Sequence, residues 1–198
     1  KKFEADFLFK KISAKNLYPP RYIYSLYFDS KDLANYTDSE EGTVPREKWR
    51  LRTYTSFSSN NKKIEEIFKN DVFIEQKKTF EKHREKKRIF VKNLYFEDII
   101  KKIKILSNED LVPNVFVSYF RKYYTLNNGV RITYDTDIKF YKYKSKMIIN
   151  EKKMNQTILE EKKPINFADN SIFNIIGDKH SRNSKYCEAI KSVFNYNL

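Results

Sequence analysis

The stretch Arg46-Glu-Lys-Trp-Arg-Leu-Arg-Thr-Tyr54 decides how the rest of the chain is read. At the two-residue period of a strand, Arg46, Lys48, Arg50, Arg52 and Tyr54 share one face, and Glu47, Trp49, Leu51 and Thr53 share the other. The face with the chain's only tryptophan should seek apolar cover, which leaves the cations a surface of their own. If water covers that surface, it is an ordinary outer face. If a closed sheet encloses it, it must hold an anion, because an unpaired charge taken out of water costs several kcal/mol.

Other strands repeat the pattern. Asp71 to Lys78 sets Glu75 and Lys77 against Val72 and Ile74, and Arg84 to Lys92 sets Arg84, Lys86 and Arg88 against Ile89 and Val91. Pro113 to Tyr124 carries Arg121 beside Tyr119 and Tyr123. Asn127-Asn128-Gly129 reads as a hairpin turn. Val130 to Phe140 returns with Arg131, Thr133, Asp135 and Asp137 on one face, and Thr157 to Lys163 aligns Ile158, Glu160 and Lys162. Outside these, Phe3 to Ile12 has the apolar spacing of a short helix and Phe96 to Leu106 that of a longer one, with Glu97 and Asp98 suited to its first turn. Tyr18-Pro19-Pro20-Arg21 holds the chain extended ahead of a strand from Tyr22 to Asp29. Ser30 to Pro45 reads as a connection with at most one helical turn, Ser56 to Lys63 as a polar loop, the segment after Phe140 as a lysine-rich hairpin, and the tail from Ser171 as loop and short helix.

Composition bounds the function. A net charge of +14 and a pI near 9.6 favour polyanionic partners, although a chain this rich in Asn, Ile and Tyr also reflects coding bias. With 40% hydrophobic and 16% aromatic residues and only three glycines, the chain is neither a disordered polycation nor a linker. Cys187 stands alone, which rules out an internal disulfide and suits an inert buried thiol. His83 and His180 lie far apart without a matching metal-ligand set, and neither a Gly-x-x-x-x-Gly-Lys loop nor a Gly-x-Ser-x-Gly elbow occurs. No apolar run approaches a membrane span, so the expected location is the cytoplasm or the cytosolic face of a membrane. Basic strands interleaved with aromatics would suit single-stranded nucleic acid, but no motif of a nucleic-acid-binding fold is present and no specific nucleic acid is expected.

The steps Arg-x-Arg, Glu-x-Lys and Lys-x-Arg favour arginine more than a solvated face would. Arginine grips phosphate bidentately, and interspersed glutamates suit a divalent metal that bridges phosphates. Together they point to a metal–triphosphate site inside a closed antiparallel sheet.

The matching segments are Tyr18-Pro-Pro-Arg21, Ser25-Leu-Tyr-Phe-Asp29, Gly42, Arg46-x-Lys-x-Arg-x-Arg-x-Tyr54, Phe73-Ile-Glu-Gln-Lys77 and Lys86-Lys-Arg88. They continue with Tyr119-x-Arg121, Arg131-Ile-Thr-Tyr-Asp-Thr-Asp137, Ile158-Leu-Glu-Glu-Lys162 and Ser184-Lys-Tyr186. In this order the chain resembles the VTC (vacuolar transporter chaperone) domain, the polyphosphate polymerase branch of the triphosphate tunnel metalloenzymes. The resemblance implies an α+β fold: a closed antiparallel β-barrel, the triphosphate tunnel, with a few peripheral helices. It implies transfer of the γ-phosphoryl group of ATP to a growing polyphosphate chain, with Mn²⁺ or Mg²⁺ as cofactor. ATP and polyphosphate would be the partners, with a membrane protein that receives the polymer. By carry-over, Arg50, Arg52, Lys77, Lys86, Arg121, Arg131 and Lys185 hold phosphates. Of these, Arg50, Arg52, Lys77, Arg131 and Lys185 are assigned to catalysis, with Arg52 and Lys77 facing one another across the lumen. Glu160 binds the metal. The charged-face pattern adds Arg46, Lys48, Arg88 and Lys162 as phosphate contacts and Glu75 as a second metal candidate. A triphosphate hydrolase on the same scaffold and a non-catalytic polyphosphate- or nucleic-acid-binding module stand as alternatives.

The tunnel family's Glu-x-Glu-x-Lys strand has only a degenerate echo in Glu4-Ala-Asp6, and the chain begins at Lys1. Residues 1–198 are accordingly expected to form one VTC-like domain that lacks its native N-terminal strand.

Overall fold

The computed structural model describes residues 5–59, 62–69, 71–92, 95–164 and 183–195. The basic stretch is strand β2 (Arg46–Thr55), which pairs with β1 (Lys15–Asp29) on one side and β3 (Val72–Thr79) on the other. Beyond β3 lies β4 (Arg84–Val91). On the far side of β1 come β5 (Val112–Thr125) and β6 (Arg131–Lys144). The outer edge of β6 carries β7 (Met147–Lys153) along one part and β8 (Ile158–Lys162) along another, and all pairings are antiparallel.

Two strands are longer than the alternation suggested. β1 begins at Lys15 and runs through Pro19-Pro20. This is possible because its pairing to β2 starts only at Tyr22, while its register with β5 shifts around the prolines. β6 continues to Lys144 and turns into β7 through Ser145 and Lys146, both at positive φ (48° and 65°), as a tight hairpin requires. The Asn127-Asn128-Gly129 turn forms as expected, with Gly129 at φ 80°.

Apolar cover lies on both faces. Trp49 and Leu51 are buried in the largest core with Leu26, Phe28, Ile74 and Phe116, which α3 (Ile64–Ile67) and α4 (Phe96–Ser107) close through Ile64, Ile99 and Ile103. The alternate residues of β1 and β5, Ile23, Tyr27, Val115 and Val117, pack beneath α2 (Ala34–Glu41) and α5 (Lys185–Phe194). A third cluster seats α1 (Ala5–Lys11) on Tyr124 and Ile132.

Helix α2 has eight residues where a single turn was expected. Its cap is not local: Leu33 precedes it without a side-chain cap, and the buried Asp29 accepts the backbone N–H groups of Asn35 and Tyr36 at 2.9 and 3.0 Å. A capping carboxylate six residues upstream leaves no N-cap signature in the sequence. The Tyr186 hydroxyl also donates to Asp29, so this carboxylate joins β1, α2 and α5. Tyr186→Phe removes that bond but keeps the ring stacked on Tyr27 at 5.1 Å. The expected loss is about 1–3 kcal/mol in urea unfolding, without change in m-value.

The closed barrel expected from the sequence is corrected to an open sheet. Its order is β4-β3-β2-β1-β5-β6-β7, with β8 on β6, and no ladder joins β4 to the opposite edge among the described residues. Alternation of charge and apolarity reports two faces; it does not encode whether the first and last strands meet. The β4 edge is charged, Arg84-Glu-Lys-Lys-Arg88, as edges that resist pairing commonly are. The basic face is the one that carries Arg50, Glu75, Arg88 and Arg121, and α5 lies over it, with Lys48 of β2 donating to Ser184 and Lys185 pairing with Asp135 of β6.

Phe3 and Glu4, His180, and the tail from Ser171 up to residue 182 lie outside the described residues. Among the described residues, no helix is long and apolar enough to cross a membrane.

Candidate functional site

Register carries the cations onto the basic face in rows. Arg50 lies opposite Glu75 and Glu75 opposite Arg88; one row on, Lys48, Lys77 and Lys86 align. Arg121 lies opposite Asp135, Thr133 opposite Glu160, and Arg131 opposite Lys162. Arg52 and Lys77, expected to oppose one another across a lumen, sit on neighbouring strands instead: Arg52 is paired with Phe73 and Lys77 with Lys48.

Two buried carboxylates organise the face. Glu75, only 2% exposed, receives Arg50 at 2.6 Å, Lys86 at 3.3 Å, Arg88 at 3.4 Å and Arg52 at 3.5 Å. Burial alone would raise its pKa, but the charges of Arg50, Arg52 and Lys86 outweigh it and hold the carboxyl down to about 2. Four cations on one carboxylate leave three positive charges uncompensated. Arg52 is further fixed by Ser25 Oγ at 3.0 Å and the Tyr119 hydroxyl at 3.3 Å, and Arg50 by the Tyr27 hydroxyl at 3.1 Å. Burial would raise the Tyr27 pKa, yet Arg50 and Arg52 bring it below its usual value.

The second carboxylate, Asp135, takes a bidentate grip from Arg121 at 2.5 and 2.7 Å and the Lys185 ammonium at 2.6 Å. Burial opposes its ionisation, but Arg121 and Lys185 keep it below the usual carboxylate range. Lys185 is the first residue of α5, which Ser184 caps by accepting the Cys187 N–H, and its ammonium lies over the Tyr119 ring at 4.8 Å. Among the described residues, Lys77 has no such anchor. Its pKa is lowered by desolvation first, then by repulsion from Arg84, Lys48 and Arg50.

Of the expected site residues, Arg50, Arg52, Lys86, Arg88, Arg121 and Lys185 converge on these two carboxylates, with Lys77 beside them. Lys48 is spent on tying β2 to α5, donating to Ser184 Oγ at 2.9 Å. Arg46 donates to the carbonyls of Gly42 and Thr43. Arg131 and Lys162 are exposed at one end of the face. Asp137, placed with Asp135 by simple alternation, leaves this face: a bulge against Ser118 and Phe120 puts it at φ 50° and turns it to the other side of the sheet, where it lines a cavity with Tyr24 and Tyr141. His83 stacks on Phe80 in the β3–β4 turn, and Cys187 is a buried thiol whose pKa burial pushes up.

Sequence reasoning passed over Asp135 as an organiser, along with Ser25, Tyr27 and Tyr119 as the groups that aim the arginines. Their positions on the charged face were legible, but cross-strand partners depend on a register that no single strand contains.

Glu75 fits a divalent metal poorly, because four cations already surround it, although its Oε1 meets Lys86 and Arg88 only at 3.3 and 3.4 Å and accepts no hydrogen bond among the described residues. Glu160 is 46% exposed and meets cations only at 3.6 and 4.0 Å. Among the described residues, no three His, Cys, Asp or Glu side chains converge as a cage. Glu160 therefore fits the one mode open to it, a single carboxylate that shares Mn²⁺ or Mg²⁺ with phosphate oxygens. Glu160→Gln should leave the fold intact and tripolyphosphate binding without metal undiminished, while abolishing the gain in affinity on adding Mn²⁺. Calorimetric titration with and without the metal checks this.

A face of fixed guanidinium and ammonium groups, with too few carboxylates to neutralise them, has the charge and geometry that suit phosphate. The chain belongs to the VTC domain family, whose model matches residues 7–108 and 100–194, and which lies within the CYTH-like tunnel superfamily. Among solved structures, the PH1819 protein from Pyrococcus horikoshii OT3 is similar at 18% identity and a TM-score of 0.39, covering 67% of this chain and 66% of that one. No curated protein matches the chain.

Proposed function

We propose that this protein is a metal-dependent polyphosphate polymerase, which transfers the γ-phosphoryl group of ATP to the end of a polyphosphate chain bound on its basic face. The observation that carries the reading is the paired arrangement of Arg50 and Arg52 on Glu75 and of Arg121 and Lys185 on Asp135. These are strong phosphate ligands, already oriented and short of negative charge. Membership of a family associated with polyphosphate polymerase activity supports it.

In the transfer, the bond between the γ-phosphorus and the β–γ bridging oxygen breaks and its electron pair leaves with ADP. A terminal phosphate oxygen of the acceptor forms the new bond to phosphorus. Both ends are anionic phosphates, so the step needs no net proton, and catalysis falls to positioning and charge. Arg50 and Arg52 are assigned to the transferring group, and Arg121 and Lys185 to the second polyanion, so that two mutually repelling chains meet in line. A divalent cation on Glu160, when bound, would neutralise and orient phosphate oxygens.

Incubation with ATP and Mn²⁺ or Mg²⁺, with products resolved on a gel, tests the proposal. Long phosphate chains alongside ADP are expected. ADP and free phosphate without polymer would assign the site to triphosphate hydrolysis, and binding without turnover would make it a capture module.

A further inference from the structure

Beside the phosphate ligands, rings and guanidinium groups alternate in a continuous ladder. The Arg21 guanidinium lies between the rings of Tyr123 and Tyr54, at 5.1 and 4.3 Å. Arg88 lies between Tyr54 and Phe73, at 5.3 and 3.6 Å. Phe73 then packs against Phe90 at 5.2 Å, and there the ladder ends with a ring that is 51% exposed. Register puts its members on the basic face: Phe90 is opposite Phe73, Phe73 opposite Arg52, and Arg21 opposite Arg121.

Phosphate binding needs none of these rings. A polyphosphate offers no flat apolar surface, and a half-exposed phenylalanine on the edge strand β4 gains little by facing water. Stacked guanidinium and aromatic planes are what a nucleobase recognises. Every base has a π-face, and although Tyr54 meets Phe73 edge-on at 68° and Phe73 and Phe90 are tilted by 42°, the packed rings and guanidinium groups hold the half-exposed Phe90 ring in place, so that a base can stack on it at low ordering cost. Arg88 belongs to both sites, stacking on Phe73 while its Nε lies 3.4 Å from Glu75. Phe90 stands two interstrand steps from Arg52, roughly 10 Å and within reach of a ribose between base and phosphates.

We infer that this ladder, ending in Phe90, is a nucleobase subsite through which the basic face prefers nucleoside triphosphates to inorganic tripolyphosphate. The inference rests on the phosphate-binding reading above. Two probes separate them: a non-hydrolysable ATP analogue and inorganic tripolyphosphate, each titrated calorimetrically into the wild type, Phe90→Ala and Phe90→Trp. The wild type should favour the nucleotide. Phe90→Ala should lose about tenfold in nucleotide affinity with tripolyphosphate affinity unchanged, and Phe90→Trp should restore or exceed wild-type nucleotide binding. Equal affinities of the wild type for both probes, or parallel losses for both in Phe90→Ala, would overturn the subsite while leaving the phosphate site standing. Failure of the wild type to bind either probe would instead overturn the phosphate site, and the subsite with it.

Discussion

Glu75→Gln should destabilise the protein strongly and at the same time make polyanions stabilise it more than they stabilise the wild type. The substitution keeps the shape of the side chain but leaves Arg50, Arg52, Lys86 and Arg88 facing one another without their shared carboxylate. Removing one partner of a buried ion pair costs about 3–5 kcal/mol. With Lys86 and Arg88 partly exposed, the lower end applies, so a loss of about 3 kcal/mol in unfolding free energy is expected. Tripolyphosphate should then raise the melting temperature of the variant more than that of the wild type, because the ligand replaces the missing charge and binds only the folded state. An unchanged stability would show that water already screens these cations.

The same carboxylate sets an acid limit. Its folded pKa, about 2, lies below the usual 4.5, so its contribution is fully present above pH 4.5 and is lost as the pH falls from there through 2. In Glu75→Gln, the part of the wild-type stability loss that falls in this window should be missing from an acid-unfolding series.

Arg52→Ala should weaken tripolyphosphate binding by at least tenfold, since it removes a charge-assisted contact of about 1.5–3 kcal/mol. Arg52 is 6% exposed and held by Ser25, Tyr119 and Glu75, so it meets a ligand without first being ordered. Relief of cationic repulsion in the empty protein, which a bare row of arginines suggests, is not expected. Glu75 already compensates Arg52, and its loss orphans the Ser25 and Tyr119 hydroxyls, so the empty protein should also lose about 1–2 kcal/mol. Calorimetry and urea unfolding of the same variant separate the two effects. Unchanged affinity would remove Arg52 from the phosphate site.

Local chemistry made much of this protein legible. The period of two in Arg46 to Tyr54 sorted the strand into its buried and basic faces, because a pleated backbone sends alternate side chains to opposite sides whatever its neighbours do. The same rule placed Glu75, Arg88, Arg121 and Glu160 on the basic face, and the helical spacing of Ile99 and Ile103 announced α4. It failed at Asp137, where one extra residue in β6 inverts the alternation. It also failed at α2, whose cap comes from Asp29 in the preceding strand.

Only the tertiary structure decided which charges meet. Arg50, Lys86 and Arg88 reach Glu75 from strands on either side, and Lys185 reaches Asp135 from a helix 50 positions further along the chain. It also decided that, among the described residues, β4 pairs only with β3, so that the sheet is open and not a sealed barrel. Strand pairing and closure are long-range events, fixed by register and curvature summed over the whole sheet. A strand's own residues determine which way its side chains point, but not what stands opposite them.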